Sequence, residues 1–499
     1  MNVDGRINYM KLTKTDFKKY LICPECLWLE KKRPDQFERA EISEFLQKLI
    51  QDGYDVEDEV HKMFPAGVDL GNKQDEILLE ETQDELKKKG TIFQATFKSQ
   101  RNLFLKADIF KFNEETSKWD LYEVKSSSEI KTDLMHNHIK DICFQKIVLE
   151  ECGMEVGDCY IAHMNRDYVR KGDLDLIKLF AFEEVSAQIS EVYPEVSFRI
   201  DEALALLKQD DLKINSCACL YKSAGQRCDC FAKLNPQVPE YSTAHILRGK
   251  KLAELVNDNI FDPKDIPADF KLTEPQRIKV DLQKIGKPII DVVNIREALD
   301  KLQYPLYFLD YETLLKPIPQ LDGYNPNSQI VFQYSLHIMQ ENGDIEHREY
   351  LANDLQSSTA GLVKSLRKDI GDEGSVLVWY EPFEKTRNKE LGKLHPEYEL
   401  FFNGVNDRIY DLMKIFKKDY LLPEFKGSAS IKKVLPVLAP ELSYKDLEVQ
   451  DGTMAMSAWE KMLESEDEEE KQKLRQNLLS YCELDTWAMV KIFEVVRVL

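Results

Sequence analysis

An acidic pair followed by a lysine is the first group of residues in this sequence that could do chemistry. Asp108 lies in a segment with strand-like alternation, and Glu123 and Lys125 form Glu-x-Lys at the end of the next such segment. Alternation along a strand places positions 123 and 125 on one face. Carboxylate oxygens bind Mg²⁺, and a nearby lysine can neutralise phosphate charge or help to deprotonate water. The group suits metal-assisted phosphodiester hydrolysis, although charged residues at strand ends are common without such a role.

Residues on either side of this group extend the pattern. Gly53-x-x-x-Glu57 precedes it on a predicted helix, His61 lies one turn further on, and Gln145 follows on another helix. The order resembles the RecB-type branch of the PD-(D/E)XK nucleases, which carries G-x-x-x-H, Asp, E-x-K and then Gln. Glu57 stands where that branch has His, so either Glu57 is the ligand or His61 binds from the next turn. His61 as an ordinary helix-surface histidine is the alternative.

The resemblance implies a restriction-endonuclease-like α/β domain and a role for each residue. Asp108, Glu123 and Glu57 would hold Mg²⁺ or Mn²⁺. Lys125 would be catalytic, and Gln145 would organise the substrate or the active site.

Six of the ten cysteines form the second group. Cys23 and Cys26 come early, and the other four follow as C-x-C-x8-C-x-C over residues 217–230. Soft thiolates select zinc or an iron–sulfur cluster. C-x-C spacing differs from the C-x2-C of zinc ribbons. The cysteines resemble the iron–sulfur clasp of RecB-family nucleases, which implies a 4Fe–4S cluster with four ligands: Cys23, Cys217, Cys219 and Cys228.

The cluster leaves alternatives open. Cys26 and Cys230 are then spare, and either could substitute for a ligand. A structural Zn²⁺ and unligated thiols are the other interpretations.

A third group of residues lies in the last 200 positions. Asp310 and Glu312 form D-x-E on an apolar strand and share a face. Tyr481 and Asp485 lie one turn apart on the final helix, and Glu384 follows a strand between the two motifs. Four acidic side chains can hold two metals about 3.5–4 Å apart for in-line attack on a phosphodiester, with the tyrosine positioning water.

This order resembles the DEDD exonucleases of the ribonuclease H-like fold, in the variant with Tyr in the last motif. The middle motif of that group is H-N-x-x-F-D, whereas this sequence reads YEPFE over 380–384, so Glu384 replaces the Asp. Asp407 and Asp411 are rivals for that role; we favour Glu384 because it follows the strand, and expect Asp411 to cap or face a helix.

The wider stretch resembles the prokaryotic family called domain of unknown function 2779, which couples a RecB-type nuclease half to a ribonuclease H-like half. The segments that carry the likeness are FLDYET, VWYEPFEKTR, IYDLMKIF, LPEFKGSASIKKVLP and YCELDTWAMV. The resemblance covers nearly the whole chain.

The elements that must position these residues predict an α/β protein. A length of 499 residues predicts roughly three domains. We predict a PD-(D/E)XK-like domain with the cysteines over 1–235, a helical connector over 236–300 and a ribonuclease H-like domain over 301–499. The connector could hold a helix-hairpin-helix-like turn at 249–251, or be a plain helical linker.

Composition limits the partners. The formal charge of −21 argues against coating nucleic acid by bulk charge, but not against a local basic groove. The sequence has no run of about 18 apolar residues and no apolar leader, so we expect a cytoplasmic protein without a membrane partner. Ten cysteines in a reducing compartment do not suggest disulfides.

Together the patterns predict a metal-dependent nuclease, more an exonuclease than an endonuclease, with two candidate active sites. Its predicted substrate is DNA or RNA, with DNA favoured. The altered motifs at Glu57 and Glu384 motivate an alternative: a nucleic-acid-binding scaffold with one or both sites degenerate. A zinc-dependent interaction protein without a nucleic-acid role is a third interpretation.

Overall fold

The chain divides into two compact units. The structure, a computed structural model, describes residues 11–37, 43–212 and 216–499. Unit 1 contains the described residues within Met1–Glu41, Leu49–Phe261 and Pro317–Asn327, and unit 2 contains those within Ile42–Lys48, Asp262–Lys316 and Ser328–Leu499. Each unit therefore receives a short segment from the part of the chain that otherwise builds the other unit.

Unit 1 is built from seven strands and nine helices among the described residues. The strands are β1 (Leu12–Thr13), β2 (Val68–Asp69), β3 (Thr91–Lys98), β4 (Leu103–Asn113), β5 (Lys118–Lys125), β6 (Val156–Met164) and β7 (Phe180–Glu184). The helices are α1 (Lys14–Ile22), α2 (Pro24–Lys32), α3 (Glu44–His61), of which residues 44–48 belong to unit 2, α4 (Asp75–Leu86), α5 (His138–Glu151), α6 (Leu176–Leu179), α7 (Ser186–Leu207), α8 (Phe231–Leu234) and α9 (Gly249–Asn257).

One mixed sheet organises unit 1, with strand order β2-β3-β4-β5-β6-β7 and β1 paired to β4. Strands β3, β4 and β5 form an antiparallel meander, and β6 returns parallel to β5 after α5. Alternating side chains explain the meander, since one face of each strand packs into the core. Helix α5 is buried along most of its length because its apolar residues cover the sheet.

Local signals fix the ends of the helices that matter for the site. Thr13 and Asp16 form a reciprocal capping box at the start of α1. Asn137 caps α5 by accepting a hydrogen bond from the Lys140 backbone N–H at 2.9 Å. The first turn of α1 brings Lys14 to Glu123, and the middle of α5 brings Gln145 to the same carboxylate.

The described part of unit 2 contains seven strands and nine further helices. The strands are β8 (Ile289–Ile290), β9 (Leu306–Leu315), β10 (Gln329–Met339), β11 (Ile345–Leu351), β12 (Ser375–Val378), β13 (Ile409–Asp411) and β14 (Tyr420–Leu421). The helices are α10 (Glu274–Ile285), α11 (Val292–Leu299), α12 (Ser358–Asp369), α13 (Glu381–Leu394), α14 (Glu399–Asp407), α15 (Met413–Lys418), α16 (Ile431–Leu438), α17 (Gly452–Glu464) and α18 (Glu468–Arg497).

A five-stranded sheet forms the centre of unit 2, with strand order β11-β10-β9-β12-β13. Strand β9 is antiparallel to β10 and parallel to β12, which in turn is parallel to β13. Nearly every residue of β9 and β10 is buried, because helices cover both faces. Helix α18 packs on this sheet; the rings of Phe493 and Phe308 meet edge to face at 5.6 Å.

The predicted α/β class is confirmed, as are the strands expected from alternation and from apolar runs. The predicted helix that carries Gly53 and Glu57 is α3, which begins at Glu44; residues 38–42 lie outside the described part of the chain. In the predicted connector, residues 249–251 are the first turn of α9, which is preceded by a 3-10 turn over Thr243–His245. Within the described ranges, no helix combines the length and apolar character needed to span a bilayer.

Candidate functional site

The early acidic site comprises Glu57, Asp108, Glu123, Lys125 and Gln145. Glu123 is the centre of a polar network at the end of β5. The Lys125 ammonium lies 2.5 Å from Glu123 Oε1, and the Gln145 amide of α5 donates to Oε2. Asp108 on β4 accepts a hydrogen bond from the Val124 backbone N–H at 2.9 Å. Four of the five predicted residues therefore meet across two strands and a helix.

Two residues that the sequence analysis missed complete this network. Lys14, in the first turn of α1, places its ammonium 2.5 Å from Glu123 Oε1. Asp141, one turn before Gln145 on α5, lies 3.8 Å from the Lys125 ammonium. Asp141 is buried, and its Oδ2 and the Gln145 Oε1 accept no hydrogen bond from the described residues. The spacing of Asp141 and Gln145 on one helix face was a usable signal, whereas nothing local marked Lys14.

Glu57 lies at the margin of the early acidic site. Its Oε1 accepts from the Gln94 amide and lies 3.5 Å from His61 Nε2. The His61 ring stacks on Phe93 with centroids 3.8 Å apart. His61 thus packs against the Phe93 ring and lies near the carboxylate of Glu57 on its own helix. The charge of Glu57 contributes to the raised pKa of Asp108.

The two carboxylates of this site, Asp108 and Glu123, have pKa values shifted in opposite directions. Burial, followed by the charge of Glu123, raises the pKa of Asp108 to about 8. Burial also opposes the charge of Glu123, but the ammonium groups of Lys125 and Lys14 outweigh it and lower the Glu123 pKa well below its usual range. For Lys14, burial is likewise outweighed by Glu123, so its pKa is raised. Glu123 is therefore charged. No described residue forms an ion pair with Asp108.

The thiol cluster comprises Cys23, Cys217, Cys219 and Cys228. Their four sulfur atoms lie within 4.8 Å of one another, and those of Cys217 and Cys228 are 3.9 Å apart. Cys23 ends α1, so the cluster joins the start of unit 1 to the loops that follow α7. These four sulfur atoms could bind a metal ion.

Neighbouring groups favour the thiolate at Cys217 and Cys219 and the thiol at Cys23 and Cys228. The Asn235 amide donates to Cys217 Sγ at 3.3 Å, and hydrogen bonds from Cys219 and then Cys228 lower the pKa of Cys217. The two spare cysteines form a pair of their own, with Cys26 Sγ and Cys230 Sγ 2.8 Å apart.

The late acidic site comprises Asp310, Glu312, Glu384, Tyr481 and Asp485. Asp310 and Glu312 project from β9, and their carboxylates lie within 4.8 Å of each other and of Cys482 on α18. Asp485, one turn after Tyr481, is buried beside them, and its charge raises the pKa of both Asp310 and Glu312 after the effect of burial. The β9 strand and α18 helix thus bring together residues separated by about 170 positions.

Tyr444 is a further residue of this site that the sequence did not reveal. Its hydroxyl donates to Asp485 Oδ1 at 2.5 Å, and its ring lies 6.2 Å from that of Tyr481. The Lys432 ammonium lies over both rings, at 5.5 and 5.9 Å from their centroids. Burial raises the pKa of Asp485 to about 6, against the hydrogen bond from Tyr444, which lowers it.

The candidates for the middle acidic position differ in burial and contacts. Glu384, in the first turn of α13, is buried; its Oε2 has no hydrogen-bond partner among the described residues, and burial raises its pKa to about 8. Its charge also acts on Asp310. Asp411 ends β13 and accepts from the Met413 N–H that begins α15 at 3.0 Å, and Asp407 is exposed. Glu384 is thus the member of the three whose charge raises the pKa of Asp310.

Comparison with known proteins finds a recognised sequence family that matches part of the late acidic site. Residues 307–430 match the family described as "Domain of unknown function (DUF2779)". This stretch contains Asp310, Glu312 and Glu384, and ends before Tyr481. The match supports the predicted resemblance to that family.

The curated relatives share part of the chain. One is "Uncharacterized protein MG366 homolog" of Mycoplasma pneumoniae, 29% identical over 218 residues, or 40% of this chain and 33% of the relative. Another is "Uncharacterized protein UU173" of Ureaplasma parvum, 28% identical over 214 residues, or 38% of this chain and 31% of the relative. The chain spans about a third of the length of the curated relatives it matches. No solved structure matches the chain.

Proposed function

We propose that this protein is a metal-dependent nuclease that hydrolyses phosphodiester bonds of DNA or RNA at two sites, the early and the late acidic sites. One observation carries the proposal: Asp310, Glu312 and Asp485 meet in the core of unit 2 with raised pKa values caused first by burial. Among the described residues no ion pair within 4.0 Å neutralises them. Carboxylates removed from water without an ion-paired cation are costly unless a metal ion binds them.

A divalent cation fits the donors of the late acidic site. Mg²⁺ and Mn²⁺ take oxygen ligands, and Asp310, Glu312, Asp485 and Glu384 supply carboxylates from three elements. When bound, such ions stabilise negative charge on the phosphate and lower the pKa of water. Tyr481 and Tyr444 would orient water beside Asp485, and Lys432 would attract the phosphate. The sheet order β11-β10-β9-β12-β13 further supports a ribonuclease H-like assignment for unit 2.

The early acidic site supports the same chemistry with a different arrangement. Asp108 and Glu123 would hold the cation, Gln145 would orient Glu123, and the Lys125 ammonium would neutralise phosphate. The meander β3-β4-β5 followed by α5 and the parallel strand β6 supports a PD-(D/E)XK-like assignment. Lys14 shares Glu123 Oε1 with Lys125, so a cation on that oxygen must displace one ammonium.

The test is cleavage of end-labelled single- and double-stranded DNA and RNA by the full-length protein with Mg²⁺ or Mn²⁺. Lys125→Ala and Asp310→Asn should each reduce a distinct activity by about 100-fold or more. Lys118→Ala, an exposed change on the same strand as Lys125, and Asp344→Asn, in an exposed turn, are the matched controls and should retain both activities. Absence of cleavage by metal-loaded wild type on all four substrates would contradict the proposal, and retained binding would then favour a nucleic-acid scaffold.

We further propose that the thiol cluster holds a metal centre that ties α1 to the loops after α7. The resemblance to the iron–sulfur clasp supports a 4Fe–4S cluster. The sulfur spacing favours zinc, because ligands 2.3 Å from one tetrahedral ion lie about 3.8 Å apart, close to the 3.9 Å between Cys217 and Cys228. Anaerobic purification with iron, sulfide and zinc analysis separates the two, and a metal-free, fully folded protein would contradict both.

A further inference from the structure

Two histidines and a glutamate form a third polar group on unit 2, outside both acidic sites. His337 on β10 faces His347 on β11 in register, and their rings stack with centroids 4.5 Å apart. Glu483 on α18 completes the group; its Oε1 lies 3.8 Å from His347 Nδ1. One ligand atom from each of the three residues lies within 4.8 Å of the other two. The histidine pairing follows from the hairpin, and the glutamate arrives from 136 positions away.

The hydrogen bonds around the two rings leave one nitrogen of each ring available. His337 Nδ1 pairs with Thr486 Oγ1 at 2.8 Å, and His347 Nε2 pairs with Ser335 Oγ at 2.9 Å. Ser335 Oγ and Thr486 Oγ1 are 2.7 Å apart, and Thr486 donates to the Glu483 carbonyl at 3.1 Å.

A single assignment of hydrogens satisfies all four bonds. Both rings donate to hydroxyls, Ser335 donates to Thr486, and Thr486 donates to the backbone carbonyl. The lone pairs of His337 Nε2 and His347 Nδ1 then have no hydrogen-bond donor among the described residues. Metal-binding histidines commonly have this arrangement, in which the second ring N–H donates to an oxygen that fixes the tautomer and the ring orientation.

We propose that His337, His347 and Glu483 form a zinc site that fastens α18 to the β10–β11 hairpin. Two imidazoles and one carboxylate are ligands that zinc accepts, and the fourth position would remain for water. Ligands 2.0–2.1 Å from a tetrahedral ion lie about 3.3 Å apart, so His347 Nδ1 and Glu483 Oε1 need a shift of about 0.5 Å. Glu483 is half exposed and can make that adjustment, while His337 is buried and held in place.

The position of the group gives the site a structural role. Glu483 and Thr486 flank Asp485 on α18, and Ser335 lies opposite Asp310 in the β9–β10 register. An ion here would hold the turn of α18 that carries Asp485 against the sheet. The ion would therefore raise the stability of unit 2 without binding any residue of the late acidic site.

The test is Zn²⁺ and Co²⁺ binding by the full-length protein whose thiol cluster is already loaded. With both acidic sites occupied by excess Mg²⁺, wild type should take up one further equivalent of Zn²⁺ or Co²⁺. The Co²⁺ form should show d–d absorption without a thiolate charge-transfer band, which separates this site from the thiol cluster. The Zn²⁺ equivalent should also raise the thermal unfolding midpoint. Failure of wild type to bind the further equivalent, or a thiolate band in the Co²⁺ spectrum, would overturn the proposal.

Substitutions at the accessible ligands keep the test independent of folding. His347→Gln and Glu483→Gln should each weaken the further Zn²⁺ binding by about 100-fold and abolish the midpoint shift. Thr486→Val keeps all three ligands and should weaken binding by about 10- to 100-fold. His136→Gln is the matched control, since His136 and Asp133 form an exposed pair at 3.6 Å without a second histidine, and it should bind as wild type does. Unchanged binding by His347→Gln would overturn the proposal.

Discussion

Single hydrogen bonds and ammonium groups decide which buried carboxylates are charged at the two acidic sites. Lys125 and Lys14 keep Glu123 ionised, while Asp108 beside it has a pKa of about 8 after burial and repulsion from Glu123. At the late acidic site the hydrogen bond from Tyr444 lowers the pKa of Asp485, and so favours its charged form. Proton and metal therefore compete for the same oxygens, and the neighbours that favour the charged form favour metal binding.

Tyr444→Phe should increase the Mg²⁺ concentration needed for half-maximal activity at the late acidic site. The hydrogen bond to Asp485 lowers a pKa that burial raises to about 6, so its loss raises that pKa further. A hydrogen bond to a charged group contributes about 1.5–3 kcal/mol, so we expect a tenfold or greater effect near pH 6 and a smaller one at pH 8. Measurement of cleavage against Mg²⁺ at both pH values tests this, with Tyr410→Phe as the control. An equal effect at both pH values would contradict the argument.

Cys219→Ser should remove the metal of the thiol cluster, whereas Cys26→Ser should retain it. Cys219 belongs to the four sulfur atoms within 4.8 Å of one another, and Cys26 pairs with Cys230 instead. Metal binding is coupled to folding, so the Cys219 variant should also unfold at lower temperature. Metal per chain, measured by mass spectrometry, tests both variants. Loss of metal from Cys26→Ser would assign that residue to the cluster.

Helix α5 is the element that joins the core of unit 1 to its acidic site. It presents Asp141 and Gln145 toward β5, and its first residue, His138, is buried. The Lys131 backbone N–H donates to His138 Nδ1 at 3.2 Å, which requires that nitrogen to be unprotonated. Burial, followed by the charge of Lys125, lowers the pKa of His138 to about 4.

His138 should make the stability of unit 1 fall as the solution becomes acidic. The unfolded chain takes up a proton near pH 6.5 and the folded chain only near pH 4, so the stabilisation is complete above pH 6.5 and is lost as pH falls through that window. We expect a contribution of about 1–2 kcal/mol. His138→Gln should flatten the pH dependence of chemical unfolding between pH 4 and 6.5, and the exposed neighbour His136→Gln should not. Equal profiles for wild type and His138→Gln would refute this role.

Elements with a strong local pattern could be predicted, and their partners could not. The strands Thr91–Lys98, Leu306–Leu315 and Gln329–Met339 follow from alternation and apolar runs. Long-range packing, which no local pattern encodes, determines the order of the strands in each sheet. It also determines the contact of Lys14 with Glu123 across 109 positions and the hydrogen bond from Tyr444 to Asp485. At the candidate sites, pattern and family resemblance singled out Asp108, Glu123, Lys125 and the late carboxylates, together with the four cysteines. They missed Lys14, Asp141 and Tyr444, which lie beside those residues.

At the scale of the whole molecule, the acidic balance restricts how a polyanion can bind. A formal charge of −21 repels nucleic acid at long range, so binding must rely on local cations such as Lys125 and Lys432 beside the carboxylates.

The two acidic sites should act independently in the intact protein. They lie in different units and share no residue. Lys125→Ala combined with Asp310→Asn should reduce both Mg²⁺-dependent activities, each by the same factor as in the corresponding single variant. Cleavage assays with substrates specific for each activity test this. If either single variant lost both activities, the two sites would be coupled.

The exchange of segments between the units has a consequence for how such a gene can be divided or recombined. Residues 43–48 belong with the later half of the chain, and residues 317–327 belong with the earlier half. A single break at 261 would therefore separate each unit from one of its own segments, and unit 1 would lose Ile318 of its hydrophobic cluster. Transplantation of either unit into another protein requires two cuts and a repair of the lost segment.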